Sequence, residues 1–539
     1  MKNLCSVLFI CGLILISEAV FFGQDTPKLS SKILLVPLDD RPPCLQFTVQ
    51  MGKIGDAEVV SPPKELLGRF TTPGQSDKIV EWLKAQDLKS FDAAIVSLDM
   101  TAYGGLVAMR RYGTTEAEAL RRIEVLREIK RKAPKLTLYV QSVIMRLAPT
   151  GDGKNDAYRD KLSRWAEISP YEESKQETAK LEREIPAEVL IDYKNARQRD
   201  LRINLKAIDF VREGTIDYLI LSQDDAKPRG IHVADREKLI EETNRQNLTE
   251  KIAIQPGADE VSMLLLARAL NRLYKFSPKV KAIYSSEELS NKAMPFEDRA
   301  LRETVSYHIK ATGSREVENE KEADLLFYVY ASRFENGRAA SFAKEIESQI
   351  KRNRRIIVAD IDPKGDVQGG DPKFTEELGK LNIFRELNGY ASWNTAGNTI
   401  GTALPQGVIF ALAQTKLLKS KEIARRVWTA QNWFTFHRIL DDYYFHTLVR
   451  AKARDFIIQN KWNALRLTDE ATQKVEDYSK NLMQPSFEEL SGIYFKSKSN
   501  LQKTVQCEKP ANLNFDLPWN RTFEAEIDFE LHCHFGNNK

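Results

Sequence analysis

Along this chain, short unbroken aliphatic runs alternate with longer stretches in which apolar positions recur every three or four residues. The runs are "ILLVPL" at 33–38, "AEVV" at 57–60, "AAIVSL" at 93–98, "LTLYVQS" at 136–142, "DYLILS" at 217–222, "KIAIQ" at 251–255, "KAIYS" at 281–285, "DLLFYVY" at 324–330 and "RIIVAD" at 355–360. A strand with one wet face alternates apolar and polar residues; these do not, so both faces are covered, as in a parallel sheet. With amphipathic helical stretches between them, the runs predict an α/β protein. Two architectures fit: a parallel (β/α) barrel-like core from about residue 30 to the 330s, or a doubly wound core of two open sheets, the second using the strands after residue 280. Eight runs before residue 331 suit a barrel, but the ninth then needs a place of its own. Periodicity leaves both open.

The pattern divides the chain into an N-terminal α/β domain at 30–275, a second α/β portion at 276–402, a helical C-terminal region at 403–495 and a cap at 496–539. A charged, helix-rich insertion at 151–213 separates the fourth and fifth runs, and insertions of this size sit beside the working face of such folds. Residues 1–24, with Lys2, an apolar run and small residues near a cleavage point, read as a signal peptide too short for a comfortable membrane span. The expectation is a secreted protein, periplasmic or extracellular, with no stable membrane insertion once the signal is removed.

Composition narrows the partners. The 80 basic and 76 acidic residues nearly cancel at +4, leaving no field directed at nucleic acid. Beyond the signal only Cys44, Cys507 and Cys533 remain, too few for a disulfide framework; Cys507 and Cys533 could form one bridge or stay unpaired. No HExxH, Cys-rich ligand cluster, phosphate loop, dinucleotide fingerprint or GxSxG elbow occurs, so no cofactor is expected.

The remaining chemistry collects where the runs end. In parallel α/β folds ligands lie beyond the carboxyl ends of the strands. There the sequence sets Asp39, Asp40 and Arg41; Asp99 and Tyr103, before the pair Gly104-Gly105; Arg146; Asp224 and Asp225; and Asp259. Asp224 and Asp225 are the catalytic candidates, because adjacent carboxylates repel and one tends to keep a proton, as a general acid must. The competing reading pairs Asp225 with Lys227 or Arg229. Asp40, Arg41, Asp99, Tyr103, Arg146, Asp259, Asn394 and Asn398 are candidate substrate ligands, the last two because amides both donate to and accept from sugar hydroxyls. Trp393 beside them offers a face for a pyranose ring.

Taken in order, "VPLDDRPP", "SLDMTAYGGLVAMR", "QSVIMR", "LSQDDAKPRG", "QPGADEVSMLLLAR", "YASWNTAGNTIGTAL" and "LPWNRTFE" resemble a bacterial family known as domain-of-unknown-function family 4127, from about residue 32 to about 528. The resemblance implies a bacterial source and one long unit; it brings no activity and no catalytic residue. The residues themselves point to an exported hydrolase acting on a carbohydrate or glycoconjugate, a small molecule or oligosaccharide, through the paired carboxylates. The alternatives are a non-catalytic periplasmic sugar- or solute-binding protein, or a metal-dependent hydrolase using Asp39, Asp40, Asp99 and Asp224 as oxygen ligands.

Overall fold

The computed structural model describes residues 29–366, 369–496 and 505–535, so the signal peptide expected at 1–24 lies outside the described residues. Strands β1 (Ser31–Val36), β2 (Ala57–Val60), β3 (Ala93–Ser97), β4 (Thr137–Ile144), β5 (Tyr218–Gln223) and β6 (Ile252–Pro256) form one sheet in the order β2-β1-β3-β4-β5-β6. Strands β7 (Lys279–Tyr284), β8 (Arg315–Glu316), β9 (Leu325–Tyr330), β10 (Ile356–Asp360) and β11 (Gly389–Ala391) form a second, in the order β11-β10-β9-β7-β8. Every pairing in both sheets is parallel. Among the described residues none joins the edge strands, so both sheets are open and doubly wound and no barrel closes. Counted from its own first strand, each sheet repeats the order 2-1-3-4-5, and the first adds a sixth strand at the far edge.

All nine apolar runs are strands, and the burial pattern explains why they are unbroken. Successive side chains of a strand point to opposite faces. Ile33 and Leu35 enter one apolar cluster and Leu34 and Val36 the other; Ile95 and Ile220 join the first, and Val96 and Leu221 the second. Helices bury both faces, so neither set of positions is polar.

Two strands of these sheets carry no such run. β8 has only two residues. β11 opens on Gly389, where a Cβ would lie 2.2 Å from the Ala403 carbonyl oxygen of the helix Ala396–Leu412. Close packing demands glycine there and hides the strand in a stretch that reads as loop. Every residue of that helix is buried, and it packs against the helix Val261–Leu273 that follows β6, bringing the carboxyl ends of the two sheets together.

The helices Arg159–Ile168, Lys175–Glu184 and Ala187–Arg212 lie between β4 and β5. The helical C-terminal region includes Lys421–Arg438, which runs into a π-helical stretch Ile439–Val449. The last described residues form two antiparallel pairs, β12 (Val505–Cys507) with β15 (Cys533–Phe535) and β13 (Ala511–Asp516) with β14 (Glu526–Glu530). Cys507 and Cys533 are joined, S–S 2.01 Å, leaving Cys44 as a buried free thiol. No described helix is long and apolar enough to cross a membrane.

Candidate active site

The order of the first sheet reverses between β1 and β3, and a crevice opens at such a point beyond the strand ends. β1 delivers Arg41 there. Its guanidinium donates to Asp39 Oδ2 at 2.7 Å, to Asp259 Oδ1 at 2.6 Å and Oδ2 at 3.1 Å, and to Glu524 Oε1 at 3.1 Å. A side chain that is 96% buried thus ties the ends of β1 and β6 to the C-terminal cap, with its opposite face over the Trp519 ring at 4.4 Å. This is why an aliphatic strand ends in charge: the cluster is a buried junction whose cation is matched by three carboxylates. Burial and the repulsion of Asp39, only partly offset by Arg41, raise Asp259 to about 7. Glu524 has two guanidiniums, Arg41 and Arg521, which outweigh burial and hold it below the usual range.

Arg41, Arg110, Arg146, Asp224, Asp225, Asp259, Glu297, Asn394 and Asn398 all line a cavity of about 310 Å3. Asp224 is buried and takes a hydrogen bond from Arg110; Arg110 also donates to Thr150 Oγ1 at 2.7 Å. Asp225 accepts from Arg146 Nη1 at 2.6 Å and is 38% exposed. The pair therefore engages Arg110 and Arg146, whereas Lys227 and Arg229 turn away to Glu167 and Glu173. Burial favours the neutral acid at both aspartates, but Arg110 and Arg146 overcome it at Asp224, whose pKa is lowered. At Asp225, burial and the neighbouring Asp224 prevail over Arg146, and the shift is upward.

Glu297 presents a different environment. It is buried beyond the end of β7, accepts the Gly397 N–H at 2.9 Å, and has no ion-pair partner among the described residues. Burial, with Glu260 and Asp225 nearby, raises it to about 8. Asn398 is aimed by Glu260, which accepts from its Nδ2 at 2.9 Å and from the Ala258 N–H at 3.1 Å. Glu260 fits only because its neighbours are glycines: a Cβ on Gly257, at φ +101°, would lie 1.6 Å from Glu260 Oε1. Asn394 donates to Asn398 Oδ1 at 2.7 Å. Asn394 and Phe296, both on the cavity wall, hold positive φ of 55° and 67°. For a half-exposed phenylalanine that backbone is strained, and strain of this kind gathers at ligand sites.

Three expected substrate ligands do not line this cavity. Asp40 is buried behind Trp519, whose indole N–H it accepts at 2.7 Å, and burial followed by Asp39 raises it to about 7. Asp99 is buried against β4, where it accepts the Val143 N–H at 3.1 Å; burial and Asp200 raise it to about 8. Tyr103 stacks under Arg199 at 4.0 Å. Trp393 is also interior, donating to Thr402 Oγ1 at 3.0 Å. Conversely, Arg110, Arg159, Glu297, Trp519 and Arg521 line the cavity without having been singled out in the sequence. Arg110, Trp519 and Arg521 stand inside quoted motifs, whereas Glu297 follows no strand directly and had no signal.

The acids proposed as metal ligands do not assemble. Among the described residues the group with ligand atoms within 4.8 Å of one another is Asp39, Cys44 and Asp259, and Arg41 donates to both of those carboxylates. The guanidinium takes the position a cation would need.

No curated protein matches the chain. Among solved structures, the carboxyl transferase domain from Rhizobium etli pyruvate carboxylase, with pyruvate, aligns over 85% of this chain and 61% of that one at 12% identity, with a TM-score of 0.17 that bears on neither fold nor function. A protein-family comparison matches residues 33–528 and spans every strand-end motif described above; the chain belongs to the family described as "Protein of unknown function (DUF4127)".

Proposed function

We propose that this protein is an exported hydrolase that cleaves a glycosidic bond in a carbohydrate or glycoconjugate. One observation carries the reading: on a single cavity Asp224 is ion-paired with Arg110 and its pKa is lowered, whereas Glu297 is buried with no ion-pair partner among the described residues and its pKa is raised to about 8. Groups whose environments drive their pKa values apart supply the acid and base of a glycosidase. Glu297 gives its proton to the leaving-group oxygen as the bond to the anomeric carbon breaks. Asp225, the more accessible aspartate, attacks that carbon or takes the proton of the water that does, in the ionised form that its pair with Arg146 favours against burial and Asp224. Asp224 stays ionised against Arg110 and stabilises the positive charge developing on the ring. Asn394 and Asn398 hold hydroxyls.

The test is turnover of a panel of p-nitrophenyl and natural glycosides by Glu297→Gln and Asp225→Asn. Each variant should lose about 10²–10⁴-fold in kcat on a natural leaving group. Glu297→Gln should recover on the activated p-nitrophenyl substrate, which departs without a proton. Full activity of both variants would reject the roles. The rival reading, a solute-binding protein, draws on the ion pairing of both aspartates; a ligand-induced rise in Tm with no product would favour it.

A further inference from the structure

Resting on that reading, we infer that the sugar carries a carboxylate, and that Arg159 and Arg521 at the rim of the cavity recognise it. Five arginines line the cavity, and three are already matched: Arg41 by three carboxylates, Arg110 by Asp224 and Arg146 by Asp225. The other two are engaged on one side only, Arg521 by Glu524 and Arg159 by the exposed Asp160. Arg159 donates from Nε to the Pro149 carbonyl at 3.3 Å and from Nη1 to Asp160, which is almost wholly in water; its Nη2 has no partner among the described residues. Arg521 spends Nε and Nη2 on Glu524, at 3.2 and 2.7 Å, and its Nη1 is likewise without a partner.

The two belong to one rim although they lie far apart in the chain. A Cβ on Gly151 would lie 3.4 Å from Arg159 Nε and 3.6 Å from Leu465 Cδ1, and the Leu467 N–H donates at 2.9 Å to Asn520, the residue before Arg521. Arg521 is held rigid by stacking on Trp519 at 4.7 Å and Phe523 at 5.0 Å. Rigid guanidinium forks match a planar carboxylate with two parallel hydrogen bonds, a geometry an ammonium cannot supply. A phosphate dianion fits less well, since Asp224 and Asp225 share the cavity. At about 310 Å3 the space lies at the low end for small-molecule sites, which suits a uronic acid unit rather than a long chain segment.

The experiment measures binding of D-glucuronate, D-galacturonate, D-glucose, D-galactose and inorganic sulfate to the full chain by calorimetry and thermal shift. The uronates should bind about tenfold or more tightly than their neutral counterparts. Arg159→Gln combined with Arg521→Gln should abolish that preference while leaving neutral-sugar binding unchanged. Arg159→Gln alone, on a partly exposed side chain, should remove part of it without affecting the fold. Equal binding of neutral and acidic sugars, a preference that survives in the double variant, or sulfate binding as tightly as the uronates would each overturn the inference. A uronate preference with no turnover of any uronide would reject the hydrolase reading and keep this one; faster turnover of neutral glycosides would do the reverse.

Discussion

The two sheets share a strand order but use their carboxyl ends differently. In the first, Arg41, Asp224, Asp225 and Asp259 stand at strand ends on an open cavity. In the second, Asp360 ends β10 but turns inward: its Oδ2 takes the Asp371 N–H at 2.9 Å, while Asp371 accepts the Tyr330 hydroxyl at 2.8 Å. The π-helical stretch covers this end, and Asp442 accepts the Ser392 N–H at 2.6 Å just beyond β11. Arg438, wholly buried, bridges Asp441 at 2.7 Å and Asp442 at 2.8 Å. The same topology therefore makes an open cavity where loops stand back and a sealed polar plug where a helix lies across it. An acidic strand end marks a potential site; what covers it decides.

That contrast can be broken most directly by activity. Asp225→Asn should cost about 10²–10⁴-fold in kcat, whereas Asp360→Asn should leave kcat within a few-fold of the parent chain. Loss of turnover in a folded Asp360→Asn would mean that the sealed end of β10 is also at work. Next in size is stability. Arg438→Met leaves Asp441 and Asp442 buried without their cation and should cost about 3–5 kcal/mol in urea denaturation.

Reducing the Cys507–Cys533 bridge, which closes a loop of 26 residues, should cost about 2–4 kcal/mol. It should also loosen the cap, weakening ligand binding at the first sheet more than it perturbs the second.

A smaller effect lies in pH dependence. Asp99 sits at about 8 in the folded chain against an ordinary 3.8, so the native state keeps a proton that the unfolded chain releases. Its contribution to stability is whole at low pH, declines as pH rises past about 4 and is gone above about 8. Asp99→Asn should flatten the fall in stability between about pH 5 and about pH 8. An unchanged slope would mean that Asp99 is ionised when folded.

Much of this was legible in the sequence. The nine apolar runs are the long strands of the two parallel sheets because a buried parallel strand needs aliphatic residues on both faces, a requirement written in consecutive positions. Arg41, Arg146, Asp224, Asp225, Asp259, Asn394 and Asn398 reach one cavity for a related reason: the carboxyl ends of parallel strands face the same way. Asp99 and Tyr103 follow the same positional rule but lie beneath the insertion helix Ala187–Arg212, whose Arg199 and Asp200 bury them. Glu297 was invisible, because its role depends on a helix a hundred residues later that brings the Gly397 N–H to it.

The chain by itself determined the class, the strands and the side from which chemistry could come, since periodicity and chain direction are local properties. Tertiary structure alone chose between barrel and open sheets, selected which acids share water and which are sealed, and supplied the arginines that fix their charge. Arg41 and Glu524 meet across 483 positions, and no local pattern encodes a contact whose energy comes from excluding water around two distant groups.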